Sequence, residues 1–338
     1  MKRSIFLKFR QKFTDKLTDV NNGDIIVLKL HYVLMLRENM KNQIEELKKA
    51  KNAIILAHYY APAEVQEIAD FVGDSFYLAK VAKQCNADII VFCGVRFMGE
   101  SAKILNPDKK VLMPNTSADC PMAHMVADGA IEKMRAKYQD LAVVCYINST
   151  AELKCKSDVC VTSSNAVKIV KALPNKNIFF IPDRNLGSFV ADMVPEKNVI
   201  LNDGCCPIHA KITSEQVLAE KAEHPHAIIL SHPECDASVA EISDFLGSTA
   251  DIIDYAKNST ANEFIICTED GVNYKLKSEN PNKRFYYPSP TPCCADMKLN
   301  TLSAVLSVLI KEDNEITLNE DVCRNALVPL NKMLEFAK

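Results

Sequence analysis

Three cysteines, Cys120, Cys206 and Cys294, stand 86 and 88 residues apart, in SADCPMAH, DGCCPIHA and TPCCADMK. Thiolates are soft ligands, and three converging on one point can hold a metal ion or a metal cluster. Other sets keep nearly the same spacing: His58, Tyr146 and His232; two residues further on, Tyr60, Asn148 and Glu234; and then Ser75, Ser163 and Thr249. Imidazole, phenol and carboxylate close together are the groups needed to take a proton from carbon and to protonate departing water. The hydroxyl set sits where small polar residues precede apolar-periodic runs, which marks helix starts. One such hydroxyl ordinarily caps free backbone N–H groups. Three helix starts meeting at one centre offer converging N–H groups and dipole ends, a pocket for carboxylate or phosphate. The expected substrate is therefore anionic.

The spacing comes from a repeat. Residues 53–75, AIILAHYYAPAEVQEIADFVGDS, and 227–249, AIILSHPECDASVAEISDFLGST, are near copies offset by 174 residues. A more diverged copy, AVVCYINSTAELKCKSDVCVTSS at 142–164, lies midway, so the period is close to 87 and there are three units. Each unit alternates short apolar runs with helical stretches. The first has AIILA, IIVFC and VLM, separated by EVQEIADFVGDSFYLAKVAKQ and FMGESAKIL; the second has LAVVCYI, IFFIP and NVIL; the third has HAIILS, FIICT and RFYY. That alternation predicts parallel sheets covered on both faces. The fold class expected is α/β: three homologous three-layer αβα domains with parallel sheets around a pseudo-threefold axis, with the site on the axis. His58, Tyr146 and His232 then end the first strand of each unit.

The expected boundaries are 51–135, 136–222 and 223–312 for the domains, 1–50 for an N-terminal extension and arm, and 313–338 for a C-terminal helical tail. Linkers are expected near 128–140, 210–225 and 311–318. Residues 1–34 carry no motif, and the segment from Met35 reads like a protein start. An added or misassigned N-terminus and an ordinary arm are both open.

A formal charge of −3 and a pI near 6.2 without a basic stripe exclude a nucleic-acid binder. There is no run of eighteen apolar residues and hence no expected membrane partner. Thirteen cysteines without a secretory signal predict a reducing, cytoplasmic setting, and the odd count suits metal or free thiols better than disulfides. Cys85, Cys145, Cys160, Cys267 and Cys323 read as small buried hydrophobes. In the doublets, Pro207 favours Cys206 because Pro121 follows Cys120, and spacing favours Cys294; Cys205 and Cys293 remain lesser candidates. Zinc with His209 as fourth ligand is one outcome. A cubane iron–sulfur cluster with three protein thiolates is the other, leaving one iron open as a Lewis acid. Gly94–Gly99 runs on into Glu100 and Ser101 and not the lysine of a phosphate loop, and no G-x-G-x-x-G or G-x-S-x-G is present. A zinc hydrolase or lyase and a non-catalytic dicarboxylate binder are the competing functional classes.

HYY at 58, GDS at 73, FMGESAKIL at 97, CPMA at 120, YIN at 146, TSSNA at 162, CPIH at 206, HPEC at 232, GST at 247 and CADMKLNTL at 294 together resemble quinolinate synthase. The resemblance spans about residues 51–302. It implies a transferase of NAD biosynthesis with a [4Fe–4S] cluster, condensing iminoaspartate with dihydroxyacetone phosphate to quinolinate, phosphate and water. It makes Cys120, Cys206 and Cys294 the cluster ligands. It places His58, Ser75, the run Tyr146, Ile147 and Asn148, Ser163, the run His232, Pro233 and Glu234, and Thr249 on substrate or product carboxylates. Tyr60 and His209, with Glu234 and His58, take catalytic roles in proton transfer or in handling the triose. The implied partners are an oxidase or dehydrogenase that supplies iminoaspartate, and the iron–sulfur assembly machinery. The N-terminal extension departs from the family pattern, and the doublets Cys205-Cys206 and Cys293-Cys294 leave the ligand choice there open by one residue.

Overall fold

The computed structural model describes residues 22–336. Two compact units divide the chain at Glu46 and Leu47. Asn22–Ala50 is one 29-residue helix; of the expected N-terminal addition, residues 1–21 lie outside the described residues. The unit from Leu47 onward holds the repeat.

Ala53–His58 (β1) is an unbroken apolar run, and Ile55, Leu56 and Ala57 have no exposed surface. Continuous apolar strands suit a parallel sheet with helices on both faces. Beside β1 lie Phe71–Gly73 (β2) on one edge and Ile89–Cys93 (β3) on the other, followed by Lys110–Leu112 (β4). The second unit repeats this with Leu141–Tyr146 (β5), Val159–Val161 (β6), Asn177–Ile181 (β7) and Asn198–Leu201 (β8). The third does so with Ile228–Ser231 (β9), Phe245–Leu246 (β10), Glu263–Cys267 (β11) and Arg284–Tyr286 (β12). All three sheets are parallel and have the same order, second strand, first, third, fourth. The expected α/β arrangement of three similar units is thus observed. In such sheets the chain reverses direction of winding beside the first strand, and ligands gather at the carboxyl ends there.

One tie recurs in every unit. Asp70, Asp158 and Asp244 stand just before the second strand, and each accepts the N–H of a first-strand residue: Ile55 at 2.7 Å, Val143 at 2.7 Å and Ile229 at 2.8 Å. A charged acceptor on an otherwise apolar strand fixes the register of the short second strand.

Those second strands correct the sequence reading. The long stretch taken as one helix in the first unit is a helix at Ala63–Ile68, then β2, then a helix at Ser75–Gln84. A strand of two or three residues is too short to show any period. The stretches expected as linkers near 128–140 and 210–225 also hold helices, Ala130–Lys137 and Ser214–Glu223. Each buries one side chain, Ile131 or Val217, which explains their loop-like composition. The second opens on a capping box between Thr213 and Gln216. The expected tail helix is present as Glu320–Phe336, burying Ala326, Leu330 and Met333. It packs on β6 and on the helices Ala151–Cys155 and Arg96–Leu105, so it straps the first unit to the second.

Candidate active site

The carboxyl ends of the three sheets open on one cavity of about 100 Å³, lined by residues of all three units. His58 ends β1 and His232 follows β9. In each ring Nδ1 accepts the backbone N–H two residues on, from Tyr60 at 3.2 Å and from Glu234 at 3.2 Å. A nitrogen that accepts carries no proton, so the neutral rings hold theirs on Nε2. Burial lowers both imidazoles to about 3, so at ordinary pH they present N–H donors to the cavity without charge. Tyr146 takes the equivalent place in the second unit, and burial raises its phenol well above the usual range.

A hydrogen-bonded chain crosses the site. The Tyr60 hydroxyl lies 2.7 Å from Thr249 Oγ1 and 2.8 Å from Thr268 Oγ1, and Thr268 Oγ1 lies 2.8 Å from His209 Nε2. His209 Nδ1 is 2.8 Å from Glu234 Oε2. Burial is the largest influence on Glu234 and works against its charge, but His209, His232 and the hydrogen bonds from His209 and Tyr146 together outweigh it and hold the carboxyl near 2. The His209 contact is the shorter of the two imidazole contacts, 2.8 Å against 3.4 Å for His232 Nδ1. Together these contacts link Tyr60 to Glu234 through Thr268 and His209, and each hydroxyl on the way can both donate and accept. Glu234 Oε1 and Asn148 Oδ1 are buried and have no protein partner among the described residues, which leaves both as acceptors for a bound molecule.

The hydroxyl set is arranged differently from expectation. Asp74 and Ser248 cap the helices Ser75–Gln84 and Thr249–Asn258, accepting from Tyr77 N and Asp251 N. Ser75 and Thr249 are therefore the first helical residues and line the cavity. In the second unit the helix is Ala166–Ala172, so Ser163 lies in the turn ahead of it, where Thr162 N–H donates to Asn165 Oδ1 at 2.7 Å. Asn165 in the turn delays the helix by three residues, and Ser163 still reaches the cavity wall.

Cys120, Cys206 and Cys294 all line the cavity, whereas Cys205 and Cys293 do not. Each of the three precedes a helical turn, Pro121–His124, His209–Lys211 and Ala295–Lys298. Backbone N–H groups two and three residues ahead favour the thiolate form of each, and Cys206 Sγ lies 3.2 Å from His209 Nδ1. Burial nevertheless pushes Cys120 up to about 12, Cys294 to about 11 and Cys206 well above the usual thiol range. A cation that displaces the thiol protons would restore the balance. Of the cysteines read as buried hydrophobes, Cys145, Cys160 and Cys267 are buried and Cys85 and Cys323 are partly exposed.

The remaining expected residues, Tyr60, His209, Ser163, Tyr146 and Asn148 among them, line the same cavity. Ile147 and Pro233 do not; both are buried beside it, between neighbours that face it. Thr268, Asp183 and Glu269 are absent from the expected set. The repeat could not pick them out, because Gly94 and Pro182 match Thr268, and Val95 matches the two carboxylates. Glu269 is raised to about 7 by burial, opposed by Lys298, whose Nζ is 2.8 Å from Oε1.

Three α/β units that pool thiols, imidazoles and a carboxylate at one shared cavity define a repeat-built α/β protein. Residues 42–335 match the family model described as quinolinate synthetase A protein, NadA. Quinolinate synthase of Caldicellulosiruptor saccharolyticus is 54% identical over 300 residues, covering 89% of this chain and 99% of that protein. The Fusobacterium nucleatum and Clostridioides difficile proteins of the same name are 51% and 48% identical, covering 88% and 89% of this chain and 99% of each relative. The chain belongs to the quinolinate synthetase A family. A solved structure of a zinc-bound ZnuA deletion mutant aligns at 13% identity over 79% of this chain and 100% of that one, with a TM-score of 0.18, too slight a likeness to carry weight.

Proposed function

We propose that this chain catalyses the quinolinate synthase reaction: iminoaspartate and dihydroxyacetone phosphate give quinolinate, inorganic phosphate and two waters, in NAD biosynthesis. The observation that carries this is the meeting of one cysteine from each unit, Cys120, Cys206 and Cys294, beside His58, His232, Tyr60 and Glu234. Three soft donors, each with its thiolate favoured by backbone N–H groups two and three residues ahead, fit the thiolates of a [4Fe–4S] cluster. When bound, the cluster would supply an open iron that acts as a Lewis acid in the loss of hydroxide. His209 Nδ1 is 3.2 Å from Cys206 Sγ, and Cys206, His209 and Glu234 bring three ligand atoms within 4.8 Å of one another, so zinc on this group is the second reading.

The side chains divide the remaining work. The helix starts at Ser75 and Thr249 and the turn at Ser163 receive the substrate carboxylates, and the Nε2–H groups of His58 and His232 donate to them. Asn148 Oδ1 accepts from the substrate nitrogen or hydroxyl. Glu234 Oε1, ionised and free, takes the proton from carbon. Tyr60 gives its proton to a departing hydroxyl, and Thr249 and Thr268 hold it in place. Iminoaspartate comes from an oxidase or dehydrogenase, the cluster from assembly machinery, and the setting is the cytoplasm. Among the described residues no helix is long and apolar enough to cross a membrane.

Iron and acid-labile sulfide on protein purified without oxygen test the reading, followed by the quinolinate assay. About four of each per chain with product formation is expected. Colourless protein that carries one zinc and gains nothing from anaerobic reconstitution would sink it.

A further inference from the structure

Two residues past the third strand of each sheet lies a position that the repeat fills unequally. It is Asp183 after β7 and Glu269 after β11, and both side chains have no exposed surface. Asp183 Oδ1 accepts the N–H of Leu186 at 2.7 Å and Oδ2 accepts that of Cys206 at 3.0 Å. Glu269 Oε2 accepts the N–H of Gly271 at 2.7 Å and Oε1 accepts that of Cys294 at 3.0 Å. In both units one carboxylate oxygen holds the chain leaving the third strand, and the other holds the cysteine that follows the fourth. In the first unit the position is Val95, and the helix Arg96–Leu105 has no side-chain cap. The Cys120 N–H goes instead to its own neighbour, Asp119 Oδ1, at 2.7 Å. Asp119 is 39% exposed, and its other oxygen is shared with an exposed His124 at 2.9 Å.

We infer that Asp183 and Glu269 are positioning residues that fix Cys206 and Cys294 for metal binding, and that Cys120, whose amide is held by the solvent-exposed Asp119 and not by a buried carboxylate, is the thiolate that releases metal first. The inference rests on the cysteine roles proposed above. A buried carboxylate bonded to a ligand's amide sets the direction of its Cα–Cβ bond, and outer-shell partners of this kind are worth about 10- to 100-fold in metal affinity.

The test is anaerobic chelation of the cluster-loaded protein with timed thiol alkylation, each cysteine followed by mass spectrometry. In the unsubstituted protein Cys120 should be alkylated ahead of Cys206 and Cys294. Asn and Gln keep only one acceptor oxygen for two N–H groups. Asp183→Asn should therefore bring Cys206 to the front, and Glu269→Gln should do so for Cys294, each with iron release about tenfold faster. If either variant fails to fold, Asp119→Ala, which touches neither carboxylate, should speed alkylation of Cys120 alone. An unchanged order in the variants, or the three cysteines reacting together in the unsubstituted protein, would overturn the inference. A chain that takes up no iron and sulfide at all fails one step earlier and overturns the cluster reading itself.

Discussion

His58 and His232 each spend Nδ1 on the chain two residues ahead, and burial lowers both imidazoles from 6.5 to about 3. The consequence for stability has a definite sign. Below pH 6.5 the unfolded chain binds protons that the folded one refuses, so stability is complete above 6.5 and falls as pH drops toward 3. The slope approaches about 1.4 kcal/mol per pH unit for each ring. Glu234 stays ionised throughout, because its own value is near 2. Glu269, raised to about 7 by burial, takes up a proton over the same range and opposes the loss, so the comparison is the test: between about pH 7 and about pH 5 the urea midpoint should fall further in the unsubstituted protein than in the double variant His58→Asn, His232→Asn; equal changes in the two proteins would rule out buried neutral imidazoles. Thr268 supports a second prediction, since it joins Tyr60 to His209. Thr268→Val should lower kcat about a hundredfold with the cluster intact, and Thr268→Ser should recover most of it; loss of iron in the valine variant would make the role structural. The imidazoles and Glu234 were legible in the sequence because three copies could be laid side by side. Thr268 was not, because a threonine whose counterparts are glycine and proline shows its purpose only through its neighbours in space.

Helices and strands decide whether those groups meet. The first and third strands of each unit were legible as apolar runs, and the second strands were not. At two or three residues they have no period, and what fixes them is the bond from Asp70, Asp158 or Asp244 to the first strand. The loop after β1 shows how closely elements must approach. Gly271 carries an ordinary φ of −60°, yet a Cβ there would lie 2.6 Å from Tyr60 Cα and 2.8 Å from its carbonyl oxygen. Gln66 Nε2 draws the same chains together by donating to the carbonyls of Tyr59 and Ala61 at 2.8 Å and of Gly271 at 2.9 Å. Lys298 Nζ donates to Tyr60 O at 3.0 Å. Because the obstacle is backbone, Gly271→Ala must push the Tyr60 loop away at a cost of about 1–3 kcal/mol. Turnover should drop at least about tenfold, a displaced Tyr60 hydroxyl leaving Thr249 and Thr268, while iron content stays normal. Unchanged kcat would mean that the loop adapts without moving the phenol.

At the scale of the whole molecule the repeat conceals an inequality. Sequence comparison makes the three units equivalent, and their sheets are, but their cores are not. One hydrophobic core runs through the first and second units together, joined by Ala326, Leu330 and Met333 of the tail helix. The sheet of the third unit keeps cores of its own, around Ile229 and Ile265 and around Leu230 and Phe264, although Met297 joins the larger core and the helix Leu302–Lys311 packs on the first unit. No pattern in the repeat announces this, because it depends on where a helix outside the repeat comes to rest. Apolar burial thus couples two units strongly, while Cys294, Glu234 and the Tyr60 loop tie the third to the common cavity. A metal cluster held by one cysteine from each unit would add its binding free energy to that weaker joint, since a ligand of the folded state stabilises whatever its removal would let open. Chelating the cluster should lower the melting temperature by several degrees. Amide exchange should then rise most in β9 and β11 and least in β5 and β7. A Cys294→Ala variant should start from the loosened pattern and respond little to the chelator. If exchange rose evenly across all three sheets, the units would be coupled alike and the two-plus-one division of the core would have no bearing on how the site opens.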